Sequence, residues 1–247
     1  MKVLVSGMTG HMGRILSDMI RNDKDLTLAC GVDKNDNQDK KEKCYKSFAD
    51  VKDDIDIIVD FSHHSLTNEL VDFAIKNNKP VVIATTGQTE EEKNKISEAS
   101  KSIPVFYAAN YSMGIAVLIN EAKNIAKVMD NADIEIVETH HNRKLDAPSG
   151  TALAIANGLK EVRPNANFVC GRSGNQKREK NDIGINAIRM GNVVGIHEVF
   201  ISTEHECISI KHEAYDRGLF AEGAIKAIKF MLGKPKGIYN MKDMLSM

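Results

Sequence analysis

Short apolar runs alternate with amphipathic stretches over the first hundred residues. Residues 2–6 predict a first strand, and residues 12–21 a helix with Met12, Ile15, Leu16, Met19 and Ile20 on one face. Residues 26–32 predict a second strand, and the charged run 34–43 a solvated loop. Residues 55–61 are apolar but for two acids, the pattern of a parallel strand buried on both faces. Helical spacing returns at 66–76, and a strand is expected at 80–84. Thr89 and Glu92 have the spacing of a capping box that opens a helix to residue 101. Residues 103–108 predict the next strand, and such alternation specifies a parallel sheet covered on both faces.

After Ala109 the pattern changes. A helix is expected over 113–129, then a strand over 132–140 with Ile134, Ile136 and Glu138 on one parity and Val137 and Thr139 on the other. A polar loop precedes a helix at 151–161. Strand-like runs at 193–203 and 207–212 flank Glu204, His205 and Glu206 and predict an antiparallel pair; a last helix spans 220–232. Two domains are expected, with a boundary near residue 111.

Composition narrows the function classes. With 42% hydrophobic and 27% charged residues in 247, the chain has material for a core and too much for disorder. Lys+Arg 33 against Asp+Glu 34 leaves a net charge of −1, which argues against a nucleic-acid binder. Trp is absent, so a base-stacking surface is not expected either. No apolar run approaches the ~20 residues that cross a bilayer. The stretch 1–7 is too short an apolar segment for a signal peptide, and the expected location is the cytosol. Cys30, Cys44, Cys170 and Cys207 lie far apart without a CxxC pair and read as reduced thiols.

Gly7-Met8-Thr9-Gly10-His11-Met12-Gly13 follows a predicted strand and opens a predicted helix. Glycines there allow a tight turn and bring backbone N–H groups to a pyrophosphate at the helix N-terminus. The spacing is GxxGxxG rather than GxGxxG, but Asp33 lies 20 residues beyond Gly13, where an acid accepts hydrogen bonds from an adenosine ribose. Lys34 either pairs with a 2′-phosphate or is one more solvated lysine. Ala84, Thr85, Thr86 and Gly87 end one strand, and Ala108, Ala109, Asn110 and Tyr111 another. Ligands of open α/β sheets bind at those carboxyl ends.

Glu138-Thr-His140-His141-Asn-Arg-Lys144-Leu-Asp146-Ala-Pro148-Ser149-Gly150-Thr151-Ala152 packs many reactive side chains into one strand, loop and helix. Adjacent His140 and His141 would point to opposite faces of a strand, which makes them poor joint ligands for one metal. A metal reading would have to recruit His63, His64 or His205 without ligand spacing to support it, and no metal is expected. Lys144 can supply a positive charge or a proton. Ser149, Gly150 and Thr151 open a helix whose free N–H groups can bind a carboxylate, while Ser149 and Thr151 also suit plain N-capping. Physics alone thus gives a dinucleotide domain and a cationic, carboxylate-binding loop, a combination suited to hydride transfer to a small anion.

The string from Glu138 to Ala152 resembles the signature of the 4-hydroxy-tetrahydrodipicolinate reductase (dihydrodipicolinate reductase) family, E-x-H-H-x-x-K-x-D-A-P-S-G-T-A. The resemblance extends through residues 7–14, Asp60-Phe61-Ser62, Thr85-Thr86-Gly87, residues 109–114, Arg189-Met-Gly191 and residues 220–224. Ala84 stands where the family usually has Gly, Ile196 where it has Glu, and Tyr111 where it has Phe. The resemblance implies an enzyme of the diaminopimelate route to lysine that uses NADH, NADPH or both. By position His140 matches the family's acid/base residue and Lys144 its proton donor. His141, Gly150 and Thr151 match substrate contacts. Gly7, Met8, Thr9, Gly10, His11, Met12, Asp33, Lys34, Ala84, Thr85, Thr86, Ala108, Ala109, Asn110 and Tyr111 are the expected cofactor contacts. The fold expected is α/β: a Rossmann-like dinucleotide-binding domain (residues 1–111 and 218–247) plus an α+β substrate-binding and oligomerisation domain (112–217) with a mixed open sheet. A small dicarboxylate substrate and a homotetramer are implied. A dinucleotide-sensing regulator would need a basic patch that neither half has. A related amino-acid dehydrogenase is separated from this reading by the string from His140 to Thr151.

Overall fold

The computed structural model describes residues 1–35 and 43–245, so the predicted loop over 34–43 lies mostly outside the described residues. The chain packs as two units, one of residues up to Ser112 with those from Gly218 onward, the other of Met113–Arg217. No described helix is long and apolar enough to cross a membrane.

The first unit runs β1 (Lys2–Ser6), α1 (His11–Asn22), β2 (Thr27–Val32), β3 (Cys44–Tyr45), β4 (Ile57–Asp60), α2 (Thr67–Lys76), β5 (Val81–Ile83), α3 (Glu90–Ala99) and β6 (Pro104–Tyr107). Apolar residues on both faces of β1, β4 and β5 are buried, as their continuous apolar sequences require. Both halves of the capping box form at α3: Thr89 Oγ1 accepts the Glu92 amide at 3.2 Å and Glu92 Oε2 accepts the Thr89 amide at 2.8 Å.

The second unit runs α4 (Met113–Val128), β7 (Asp133–His140), α5 (Gly150–Lys160), β8 (Asn167–Cys170), β9 (Asp182–Arg189), β10 (Gly195–Ser202) and β11 (Cys207–Ala214). The chain then returns to the first unit as α6 (Gly218–Phe230), β12 (Gly237–Tyr239) and α7 (Met241–Leu245), with α6 packed on α1, β4 and β5.

All seven strands of the first sheet are parallel, in the order β12-β6-β5-β4-β1-β2-β3. Strand order reverses between β1 and β4, the switch point at which such sheets bind ligands. The second sheet, β11-β10-β7-β9-β8, is mixed: β10 is antiparallel to both neighbours, whereas β7, β9 and β8 are parallel. Ile134, Ile136, Ile183, Ile185, Val199 and Ile201 share its covered face with Leu118, Ile155 and Leu159 of α4 and α5. Each such side chain contributes about 1.5–3 kcal/mol by leaving water.

Predicted and observed elements mostly differ by a residue or two at their ends. Larger departures are β3, β8, β9, β12 and α7, for which the pattern predicted nothing. Four of these have five residues or fewer, too short for a period to register. β9 is longer but carries Gly184 and Asn186, both depleted in strands. Here Asn186 donates to Glu135 Oε2 at 3.1 Å, and the Glu135 carboxylate lies over Gly184, where a Cβ would collide with it.

Candidate functional site

Two groups of residues carry the chemistry, one in each unit. In the first, β1 ends in Gly7 with φ +75°, and a Cβ there would stand 2.4 Å from the Phe61 carbonyl oxygen that follows β4. A Cβ on Gly13 would come within 2.1 Å of the Gly7 carbonyl oxygen. The turn is therefore backbone packed on backbone. Gly7 donates to Val32 at 2.8 Å, Gly10 donates to Gly7 at 3.1 Å, and the Thr9 amide donates to Asp33 Oδ2 at 3.0 Å. The Asn35 amide donates to Asp33 Oδ1 at 3.0 Å. Each Asp33 oxygen has a second lone pair to offer a ribose hydroxyl. Gly10 caps α1 without a side-chain bond, and no acid sits in its first turn. A close-packed turn, a helix start without an acid and a carboxylate at the end of β2 fit a dinucleotide.

The other residues named for a cofactor follow β5 and β6 along the same edge of the sheet. Ala84 is half-buried, Thr85 buried and Thr86 exposed; Ala108 and Asn110 are half-buried and Ala109 exposed. His11 and Lys34 are exposed, whereas Met8 is buried. Tyr111 is a core ring between Phe61 and Phe106, its hydroxyl donating to the Ile83 carbonyl at 2.9 Å. Asp60, named in the resemblance but given no role there, is buried at the end of β4 and accepts from Ser62 Oγ at 2.6 Å. Burial pushes its carboxyl above the usual range against the hydrogen bonds from Ser62, with the Thr85 and Ser6 hydroxyls nearby.

In the second unit the centre is a carboxylate. Glu138 is fully buried on β7. Its Oε1 accepts from the Ser149 amide at 3.0 Å and Arg189 Nη2 at 2.8 Å; its Oε2 accepts from Arg189 Nη1 at 2.8 Å and lies 2.5 Å from His140 Nδ1. Burial pushes Glu138 up, but the bonds from His140, Arg189 and Ser149 outweigh it and hold the carboxyl at about 2. The parallel pairing of β7 with β9 sets His140 opposite Arg189. Arg189 also donates to the Asp146 carbonyl at 2.6 Å, fixing the loop.

Ser149 is the N-cap of α5: its hydroxyl accepts the Ala152 amide at 3.2 Å and lies 3.2 Å from His197 Nε2. The His140 and His197 rings meet edge to face, 5.1 Å apart. Burial, then the nearby His140, pushes His197 down to about 4. His141 lies just past the end of β7, half-buried; burial lowers its pKa, aided by Arg143, Arg217, His140 and Lys144. Lys144 Nζ pairs with Asp146 Oδ1 at 2.7 Å. The Lys144 ammonium holds the Asp146 carboxyl below its usual range, and burial opposes it. Gly150 is exposed and Thr151 half-buried in the first turn of α5.

The structure thus brings His140, His141, Lys144, Gly150 and Thr151 into one strand end, loop and helix start. It adds Glu138, Arg189 and His197, to which sequence reasoning assigned no role. The signal for Glu138 was present: an acid on the same parity as Ile134 and Ile136. His205 sits in the β10–β11 turn, at the end of the sheet opposite His140, and His64 is paired with Glu92 at 3.1 Å. Among the described residues no group of three or more His, Cys, Asp or Glu side chains is placed to hold a metal ion. An open pocket of about 220 Å³, bordered by Asp130, Arg163 and Lys180 at the starts of β7 and β9, carries none of these groups.

The chain is similar to known proteins along almost its whole length. The family model described as dihydrodipicolinate reductase, N-terminus, matches residues 1–111, and that of the C-terminus matches residues 114–245. The chain is 42% identical to the 4-hydroxy-tetrahydrodipicolinate reductase of Clostridium novyi (strain NT) over 246 residues, 99% of this chain and 98% of that protein. It is 43% identical to the enzyme of the same name from Caldanaerobacter subterraneus subsp. tengcongensis, again over 99% and 98% of the two chains. The fold matches dipicolinate-bound dihydrodipicolinate reductase from Paenisporosarcina sp. TG-14 with a TM-score of 0.83 at 23% identity, covering 98% of each chain.

Proposed function

This chain belongs to the dihydrodipicolinate reductase family, and on that premise we propose that it reduces the dehydrated form of (2S,4S)-4-hydroxy-2,3,4,5-tetrahydrodipicolinate to (S)-2,3,4,5-tetrahydrodipicolinate in the diaminopimelate route to lysine. NADH or NADPH supplies the hydride. Residues 7–12 and Asp33 hold the dinucleotide, with the segments 84–86 and 108–111 contributing along the same edge. Lys34, exposed beside Asp33, makes a 2′-phosphate tolerable rather than essential, because the neighbouring carboxylate repels it.

The observation that carries the substrate reading is Asp146. Lys144 Nζ already holds its carboxylate at 2.7 Å beside the N-terminus of α5, and a dicarboxylate substrate presents the same group. In the proposed reaction a substrate carboxylate takes the place of Asp146, joined by Thr151 and His141. The conjugated C=N–C=C system gains electron density with the hydride and must then gain a proton. His140 and Lys144 handle that proton as acid/base residue and donor. The reading also places the protein in the cytoplasm as a homotetramer. Val137, Ile196, Phe200 and Ile188, on the sheet face away from α4 and α5, offer the surface for self-association. A monomer of 27.3 kDa by light scattering would remove that part.

The deciding experiment supplies the purified protein with reduced dinucleotide and the aldol product of pyruvate and aspartate semialdehyde. Oxidation of NADH or NADPH is expected only when that product is present. No oxidation with either cofactor, or equal oxidation without the product, would end the proposal.

A further inference from the structure

Which nitrogen of His140 exchanges a proton is decided two residues upstream. Glu138 and His140 share a parity on β7, so both project to the face covered by α4 and α5. The Glu138 carboxylate has four partners: the Ser149 amide and Arg189 Nη2 on Oε1, Arg189 Nη1 and His140 Nδ1 on Oε2. An ionised carboxylate can only accept hydrogen bonds. The two bonds from Arg189 and the one from a backbone amide keep Glu138 ionised. The hydrogen in the contact with His140 therefore belongs to Nδ1, and a neutral His140 ring carries its lone pair on Nε2. Space has been left on that side, since a Cβ on Gly195 would stand 3.1 Å from Nε2.

Resting on the reductase reading above, we propose that Glu138 is the positioning residue of the site: it holds hydrogen on Nδ1 of His140, so that His140 exchanges protons only through Nε2. The same carboxylate accepts the Ser149 amide and so ties the α5 N-terminus to the ring it orients. One buried group thus couples the proton-handling side chain to the helix start proposed to bind substrate. A Glu138–Arg189 pair serving stability alone would not select a His140 tautomer.

The test reads the tautomer directly, by imidazole 15N–1H correlation on the whole wild-type protein labelled at histidine, at a pH where the ring is neutral. His140 is expected as the Nδ1–H form. The Nε2–H form in wild-type protein would overturn the proposal, and this arm needs no variant. In Glu138→Gln the neutral amide no longer demands a donor at Nδ1, and the Nε2–H form favoured by free imidazole side chains should return. kcat should fall about 10²-fold, the low end for a displaced proton-transfer group, with KM within a few-fold and NADH affinity unchanged. A folded Glu138→Gln protein that keeps both the Nδ1–H form and wild-type kcat would also overturn it. Failure of the reductase reading shows separately, as wild-type protein that does not oxidise dinucleotide whichever tautomer it holds.

Discussion

Asp60 in the first unit and Glu138 in the second are both sealed from solvent at the ends of parallel strands, and their surroundings treat them in opposite ways. Asp60 has hydroxyl and amide partners from Ser62, faces Thr85 and Ser6, and has no cation against it among the described residues, so burial prevails and its pKa rises. Glu138 has a bidentate guanidinium, an imidazole and an amide, and is held at about 2 despite its burial. Burial sets the penalty for charge, and the partners decide whether the charge survives it. The same contrast separates the two groups of functional residues. In the first unit the turn is built from backbone atoms and missing side chains; in the second the site is built from charges that hold one another.

Removing a partner from the second unit should therefore do the most damage. Arg189→Met leaves Glu138 buried with its main cation gone and should destabilise the protein by about 3–5 kcal/mol, read by urea unfolding. Asp60→Asn removes a charge that burial already disfavours and should leave stability unchanged or higher. A reversal of that order would break the comparison. Lys144→Ala should lower kcat by roughly 10²–10⁴-fold with KM far less changed and NADH affinity near wild type. A kcat within a few-fold of wild type would put the proton source elsewhere.

Acid should separate the two carboxylates next. His197 titrates near 6.5 unfolded and at about 4 folded, so the unfolded chain binds more protons in that window. The contribution of its buried neutral ring is present above about 6.5 and is lost as pH falls to about 4. Glu138 extends the loss from 4.5 towards about 2. Asp60 has the opposite sign: its folded pKa is raised, so its penalty is present at neutral pH and fades as pH falls through that value. Stability measured against pH in His197→Gln should have a clearly smaller slope between 6.5 and 4, the remainder coming from His141 and His212, whereas Asp60→Asn should not reduce it. An unchanged slope in His197→Gln would show that the ring is not the group titrating there.

Steric effects come next, in the first unit. Gly13→Ala puts a methyl group against the Gly7 carbonyl, where only backbone can yield; a strain of about 1–3 kcal/mol should weaken dinucleotide binding roughly tenfold by calorimetry. Wild-type affinity would mean that the turn is looser than its packing implies. The smallest effect is expected at Lys34, exposed and strongly screened. Lys34→Ala should weaken NADPH a few-fold more than NADH, and equal changes for both would show that Lys34 does not touch the phosphate.

Much of this was legible before any tertiary contact. Parallel strands buried on both faces must be apolar at successive positions, so β1, β4 and β5 could be read from local sequence. The α3 cap was readable because its partners lie three residues apart. Asp33 could be placed at the end of a strand for the same reason. The string from Glu138 to Ala152 marked a strand, loop and helix start as the place for chemistry. Local sequence could not show that Tyr111 and Met8 belong to the core, because neither ring nor thioether records which side of a turn it faces.

By itself the sequence determined the parallel sheet of the first unit, the glycine turn and the parity that buries Glu138 with Ile134 and Ile136. Only the tertiary structure decided that Arg189, 51 residues away, meets that carboxylate, because the β7–β9 register sets Arg189 opposite His140. It likewise decided that His197, brought in by β10, packs against the same ring. Periodicity tells a residue which face it will occupy. Which charges meet there depends on strand order and register, and these are settled by the packing of the whole sheet against its helices.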